Sequence, residues 1–131
     1  MMRTTLLKLA LVAFGAVFLL VYPLSIIWPS GWTWHMGPPY SSDYFMMIVG
    51  IYGTLGVFLI LASRNPEANR SLIWFTVISS VVHAAIMAVQ SFGRSGDMDH
   101  MGHLWGDVPA LLIVAIVLSS LMLMSDRASK T

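Results

Sequence analysis

The chain has 131 residues, of which 57% are hydrophobic and 10% charged, and its mean hydropathy is +0.78. Soluble domains carry about 25% charged residues, so this is the composition of a membrane protein. A formal net charge of +1 gives no basic surface for nucleic acid, and the lack of cysteine excludes disulfides and thiolate metal sites.

A helix needs about 20 apolar residues to cross a hydrocarbon core. Four stretches meet or approach that length, at residues 9–28, 44–62, 71–89 and 108–124. They predict an all-α fold, a transmembrane four-helix bundle forming one domain over residues 1–131. The first stretch follows Arg3 and Lys8 and runs well past the length of a signal-peptide core, with no A-x-A site at its end, so it reads as a retained span. Pro23 within it and Pro29 just after it predict a kink or a loosened last turn.

Span two contains "GIYGTLG", where Gly50, Gly53 and Gly56 thin the helix for close packing. The following "SRNPEANR" is a short turn in which Pro66 stops one helix and Asn69 or Ser71 caps the next. A tight antiparallel hairpin of spans two and three is expected from so short a link. Span three has a small-residue row at Ser80, Ala84 and Ala88. Span four opens with "GDVPALL", which suits Asp107 to the N-cap and Pro109 to the first turn.

Basic residues favour the cytoplasmic side of a membrane. Arg3, Lys8, Arg64, Arg70, Arg127 and Lys130 fall on one side of the spans and only Arg94 on the other. Both termini are therefore expected in the cytoplasm, with residues 29–43 and 90–107 outside. Trp28, Trp32, Trp34, Tyr40, Tyr44 and Trp105 then form an outer aromatic belt.

Chemistry concentrates in that outer half. On span three, Thr76, Ser80, His83, Met87 and Gln90 share one helix face, within about 40° of a line at 100° per residue. An ionisable residue at membrane depth is costly unless paired or turned inward, so His83 is the leading functional residue. Its plainer role is a neutral imidazole bonded to a neighbouring hydroxyl or carbonyl.

Residues 97–107 read "DMDHMGHLWGD". If helical, His100, His103 and Asp107 lie on one face at i, i+3 and i+7, and imidazole with carboxylate suits zinc, iron, manganese or copper. His83 is the fourth candidate ligand for such a transition metal. Alternatively the segment is a polar outer loop ending in the Asp107 cap, and Val108, preceding a proline, disfavours a helix running straight through. Nearby methionines add a copper-like thioether set, although methionine in an apolar chain commonly serves packing. A bis-histidine haem would pair His83 with a partner such as His103. A quinone pocket beside the span-three stripe is a further alternative. No nucleophile triad, P-loop or dinucleotide fingerprint is present, so no catalytic residue is assigned and an enzyme is not the leading expectation.

The strings "GIYGTLGVFLILASRNPEANRSLIWFT", "VVHAAIMAVQ" and "HMGHLWGDVPALL" resemble a family of small bacterial four-span integral membrane proteins without assigned function. In size and span number the chain is also distantly similar to the DoxX-like group. The closer resemblance covers spans two to four. It implies a multi-pass protein of the bacterial inner (plasma) membrane, with His83, Gln90, His103 and Asp107 belonging to the family pattern.

Two functions follow as expectations. The first is an accessory or structural subunit of a larger membrane assembly, in contact with lipid and with other membrane subunits or a second copy of itself, bearing an outward-facing His/Asp/Met cluster. The second is a protein binding a metal or redox cofactor (copper, zinc, iron, haem or quinone) through His83, His100, His103 and Asp107.

Overall fold

The computed structural model describes residues 2–93 and 100–128, and every regular element among them is helical. Helix α1 (Met2–Leu19) gives way to α2 (Val21–Ile27) at a bend of 57°. The cause is Pro23, which has no N–H to donate and whose ring would collide with the carbonyl of Leu19 four residues back. At the bend the Leu20 N–H is shared between the carbonyls of Ala16 and Val17, at 3.1 and 3.0 Å. One helical turn, α3 (Pro29–Trp32), and an irregular segment lead to a 3-10 turn at Pro39–Ser41. Helix α4 (Asp43–Ala62) follows, capped by Ser42, whose hydroxyl accepts from the Phe45 N–H at 3.2 Å.

A 3-10 turn at Glu67–Asn69 precedes α5 (Arg70–Gly93), and another at His100–Leu104 precedes α6 (Asp107–Ala128). The expected cap at Asn69 or Ser71 is displaced to Asn65, whose side-chain oxygen accepts from the Ala68 N–H at 3.2 Å. Helices α4, α5 and α6 are each long and apolar enough to cross a membrane, and α1 with α2 makes a fourth span if the bent pair is taken as one.

The packing order differs from the hairpin expectation. Helix α1 lies along α4, α5 lies along α6, and α1 also packs on α6, whereas α4 and α5 barely touch. The small residues explain this. A Cβ on Gly15 would stand 2.7 Å from the Gly56 carbonyl oxygen, and one on Gly56 would stand 2.5 Å from that of Gly15. Two bare backbones therefore let α1 and α4 cross closely, drawing α4 away from α5. Gly50 and Gly53 meet nothing within 4 Å, so of the predicted glycine row only Gly56 is a packing residue.

The core contains Leu7, Leu11, Leu59, Ile73 and Leu118, all inaccessible to solvent. Ser80 and Ala84 of the predicted small-residue row are buried, and Ala88 packs against the core. Where α4 turns into α5, the Arg70 guanidinium grips both oxygens of Asp126, with Nη2 to Oδ2 at 2.6 Å, and Ser125 donates to Glu67 at 3.2 Å. These contacts tie the start of α5 to the end of α6.

Candidate functional site

The separation of α4 from α5 leaves a cavity of about 830 Å³, beneath the connection that carries Trp32, Trp34 and His35. All four long helices line it, with Phe18, Phe45, Leu111 and Val114 among the apolar wall residues. Its polar groups are few; besides Ser42, Tyr44 and Gln90 they fall in three places.

The first joins the two separated helices. The Tyr52 hydroxyl of α4 lies 2.5 Å from Nδ1 of His83 on α5, with ring centroids 5.7 Å apart. The two groups share one hydrogen bond, donated by the phenol to a bare Nδ1 or by Nδ1–H to the phenol oxygen according to the histidine tautomer. Phe18 packs on Tyr52 at 5.1 Å, which holds the phenol in place.

The second lies in the stretch "DMDHMGHLWGD". Gly102 and Gly106 press against α3, where a Cβ on either would strike the carbonyl oxygens of Ser30 and Gly31. This contact places His103, wholly buried, under Trp34, with the rings stacked at 3.9 Å and 14°. Nε2 of His103 donates to the Thr33 carbonyl at 3.0 Å, and Nδ1 meets Asp107 Oδ2 at 3.0 Å. With acceptors on both sides of one ring, histidine and carboxylate together must hold two protons. Both reside on His103, or one has passed to Asp107, and either way the pair is neutral overall, which suits its burial. Asp107 is the first residue of α6, and its carboxylate meets both His103 and the backbone N–H of Val108. The predicted break before Pro109 is present, since the 3-10 turn ends at Leu104 and α6 begins afresh at Asp107.

The third group is His35. Its Nδ1 donates to the Met36 carbonyl at 3.2 Å, and its ring packs against Phe45 at 5.8 Å. Two buried side-chain atoms have no hydrogen-bond partner among the described residues, and they are Nε2 of His35 and Oδ1 of Asp107. Both residues line the cavity, as do Tyr52 and His83. Asp107 also interacts electrostatically with His83 and with Tyr52, so the polar places are coupled across the space.

The predicted site residues divide accordingly. His103 and Asp107 come together as a bracket between the two outer connections, while His83 stands on the cavity wall with Tyr52. The side chain of His100, with Asp97, Met98 and Asp99, lies outside the described residues. Among the described residues no three His, Asp or Glu side chains group as a metal ion requires. Of the span-three stripe, His83, Met87 and Gln90 line the cavity. Thr76 and Ser80 are buried deeper in the bundle, Thr76 donating to the Leu72 carbonyl at 2.9 Å.

Sequence reasoning did not single out Tyr52, His35 or Trp34 for the site. A tyrosine in mid-span was the available signal for the first, because its hydroxyl needs a partner in lipid. His35 and Trp34 lie in "WTWHM", which the belt pattern absorbed.

No curated protein matches this chain, and no solved structure does. Residues 2–130 match a family of unknown function (DUF6632), and the chain belongs to that family.

Proposed function

We propose that this is a multi-pass membrane protein that binds a small lipophilic ring compound of the isoprenoid-quinone class, taken from the bilayer into the outer half of the bundle. The observation that carries this is the cavity of about 830 Å³ lined by all four long helices, with aromatic and aliphatic walls and the Tyr52–His83 pair among its few polar groups. Its volume falls in the range of about 300–1,000 Å³ typical of small-molecule sites, which combine apolar walls with a few placed polar groups. The sparse α4–α5 contact offers a lateral path for an isoprenoid tail, with the ring inside and the tail among lipid chains.

The setting in this proposal is a bacterial inner membrane, with both termini in the cytoplasm and the cavity near the outer face. Composition alone supports the simpler role of an accessory or structural subunit, whereas a cavity with placed polar groups favours binding. A metal or haem bound at His103 would require that ring to give up Thr33 or Asp107.

The test is to purify the protein in mild detergent, extract it with organic solvent and identify the lipids by mass spectrometry. A quinone-class lipid near one per protomer, lost when the cavity is filled, is the expected result. Phospholipid alone, together with no thermal stabilisation by added quinone or quinol, would overturn the proposal.

A further inference from the structure

We infer that the cavity holds a ring with oxygens at two opposite positions, set lengthwise between the Tyr52–His83 pair and Gln90, and that it takes the oxidised and the reduced form alike. This rests on the proposed function and names the feature of the ligand that the wall reads. On α4 the cavity runs from Tyr44 inward to Tyr52, and on α5 from Gln90 inward to His83, so the hydrogen-bonded pair marks its inner end. Gln90 is exposed and stands at the rim. His83 and Gln90 are seven residues apart on one uninterrupted helix, which puts them on the same face and about 10 Å apart along its axis. Side chains on a helix lean alike toward its N-terminus, so the polar ends keep roughly that separation. A hydrogen bond of about 3 Å at each end leaves about 5 Å between them, the span of two para oxygens on a six-membered ring. The wall between the two ends is apolar, with Ile86 and Met87 on α5 and Phe45 and Ile48 on α4.

Each end can meet a carbonyl or a hydroxyl. If the phenol donates to Nδ1, the Nε2–H of a neutral His83 is left to donate and the phenol oxygen to accept. In the other tautomer the phenol O–H is left to donate and Nε2 to accept. The pair therefore offers one donor and one acceptor whichever way its own bond runs, and the Gln90 amide likewise carries both. A quinone uses the donor at each end and a quinol either group, so the gain or loss of two hydrogens leaves the number of bonds unchanged. The other polar wall groups add no preference. Nε2 of His35 and Oδ1 of Asp107 are buried and offer no open surface for a ligand to reach. The hydroxyls of Ser42 and Tyr44, at the outer end of α4, donate or accept. The indole N–H groups of Trp32 and Trp34 only donate, and a quinol oxygen accepts from them as a quinone oxygen does.

The experiment is calorimetric titration of the full chain in lipid nanodiscs under anaerobic conditions. The probes are a short-tailed ubiquinone, the matching ubiquinol, and the matching phenol, in which one of the two para oxygens is replaced by hydrogen. Quinone and quinol are expected to bind within about threefold of each other, and the phenol about three- to tenfold more weakly, since one net hydrogen bond amounts to a several-fold change. Gln90→Leu removes the rim amide at an exposed position. It is expected to weaken quinone and quinol by the same factor, about three- to tenfold, and to leave the phenol unchanged, because its single oxygen stays at the Tyr52–His83 end. In the unmodified protein, a phenol that binds as tightly as the quinone, or a quinone–quinol difference larger than about threefold, would overturn the inference while leaving the proposed function in place. That comparison stands whether or not the variant folds. Equal weakening of all three probes by Gln90→Leu, or weakening of none, would likewise overturn it, since the amide would then not be what holds the second oxygen. Failure of all three to bind the unmodified protein would overturn the inference and the proposed function together.

Discussion

The carbonyl of Thr33 accepts a hydrogen bond from Nε2 of His103 across a sequence separation of 70 residues, and the same imidazole meets Asp107 through Nδ1. One buried ring thus fastens the connection after α2 to the start of α6, forming the floor of the outer end beside the cavity. Its energetic consequence is distinct from that of a surface pair, because neither side chain is solvated.

Removing only the imidazole leaves Asp107 buried without its partner, a situation that costs about 3–5 kcal/mol in comparable buried pairs. His103→Ala is therefore expected to lower stability by about 3 kcal/mol or more in denaturation measured in detergent. Replacing both members with apolar residues of similar shape, as in His103→Phe with Asp107→Leu, is expected to recover most of that loss. A double variant no more stable than His103→Ala would show that the carboxylate is not the source of the penalty.

The α1–α4 crossing gives a prediction of opposite signs within one helix row. At Gly56 a methyl group would lie 2.5 Å from the Gly15 carbonyl oxygen, a contact that only a backbone shift relieves. Gly56→Ala is expected to cost about 1–3 kcal/mol through overpacking. At Gly53 the new methyl meets nothing within 4 Å, so Gly53→Ala is expected to be neutral or stabilising by up to about 1 kcal/mol through helix propensity. Thermal melts of the two variants side by side in one detergent provide the measurement, and equal destabilisation would contradict the crossing.

That contrast also marks how far the sequence was legible. Apolar length located the spans, and Pro23 located the bend, because both follow from rules acting within a single segment. Which spans pair does not follow from such rules. The short link at residues 63–69 pointed to α4 against α5, but Gly15, an isolated glycine in an apolar run, decided for α1 against α4. The site divides in the same way. His103 and Asp107 stood out by type and spacing, and His83 by its depth. Their bonded partners, Thr33 and Tyr52, lie in other segments, and only tertiary contact could supply them. The metal-like spacing of the histidines was thus compatible with a quite different use, a hydrogen-bonded bracket.

Orientation is testable by labelling. Met36 is 79% exposed in the connection expected outside, and Ala68 is exposed in the turn expected in the cytoplasm. With no native cysteine to interfere, a Met36→Cys variant is expected to react with a membrane-impermeant thiol reagent in intact cells, and an Ala68→Cys variant only after the cells are opened. Labelling of the second variant alone in intact cells would invert the bundle, placing the cavity near the cytoplasmic face.

The cavity can be tested without touching any of its polar groups. Ala110 lies on the cavity wall in the first turns of α6, next to the partly apolar space that a ring compound would occupy. Ala110→Phe puts an aromatic ring into that space and leaves His35, Tyr52, His83 and Asp107 as they are. Because the new ring enters an existing void, the unliganded protein is expected to melt at the same temperature as the unmodified protein or above it, whereas overpacking a filled core would lower it by about 1–3 kcal/mol. Binding should respond in the opposite direction. A ligand at 100 times its Kd stabilises a folded protein by about 2.7 kcal/mol, which is readily seen as a shift in melting temperature, and Ala110→Phe is expected to abolish that shift for the short-tailed ubiquinol. The comparison separates a binding cavity from a packing defect: stabilisation on filling with unchanged response to the quinol would mean that the ligand binds elsewhere, and the space between α4 and α5 would then be only a gap in the bundle.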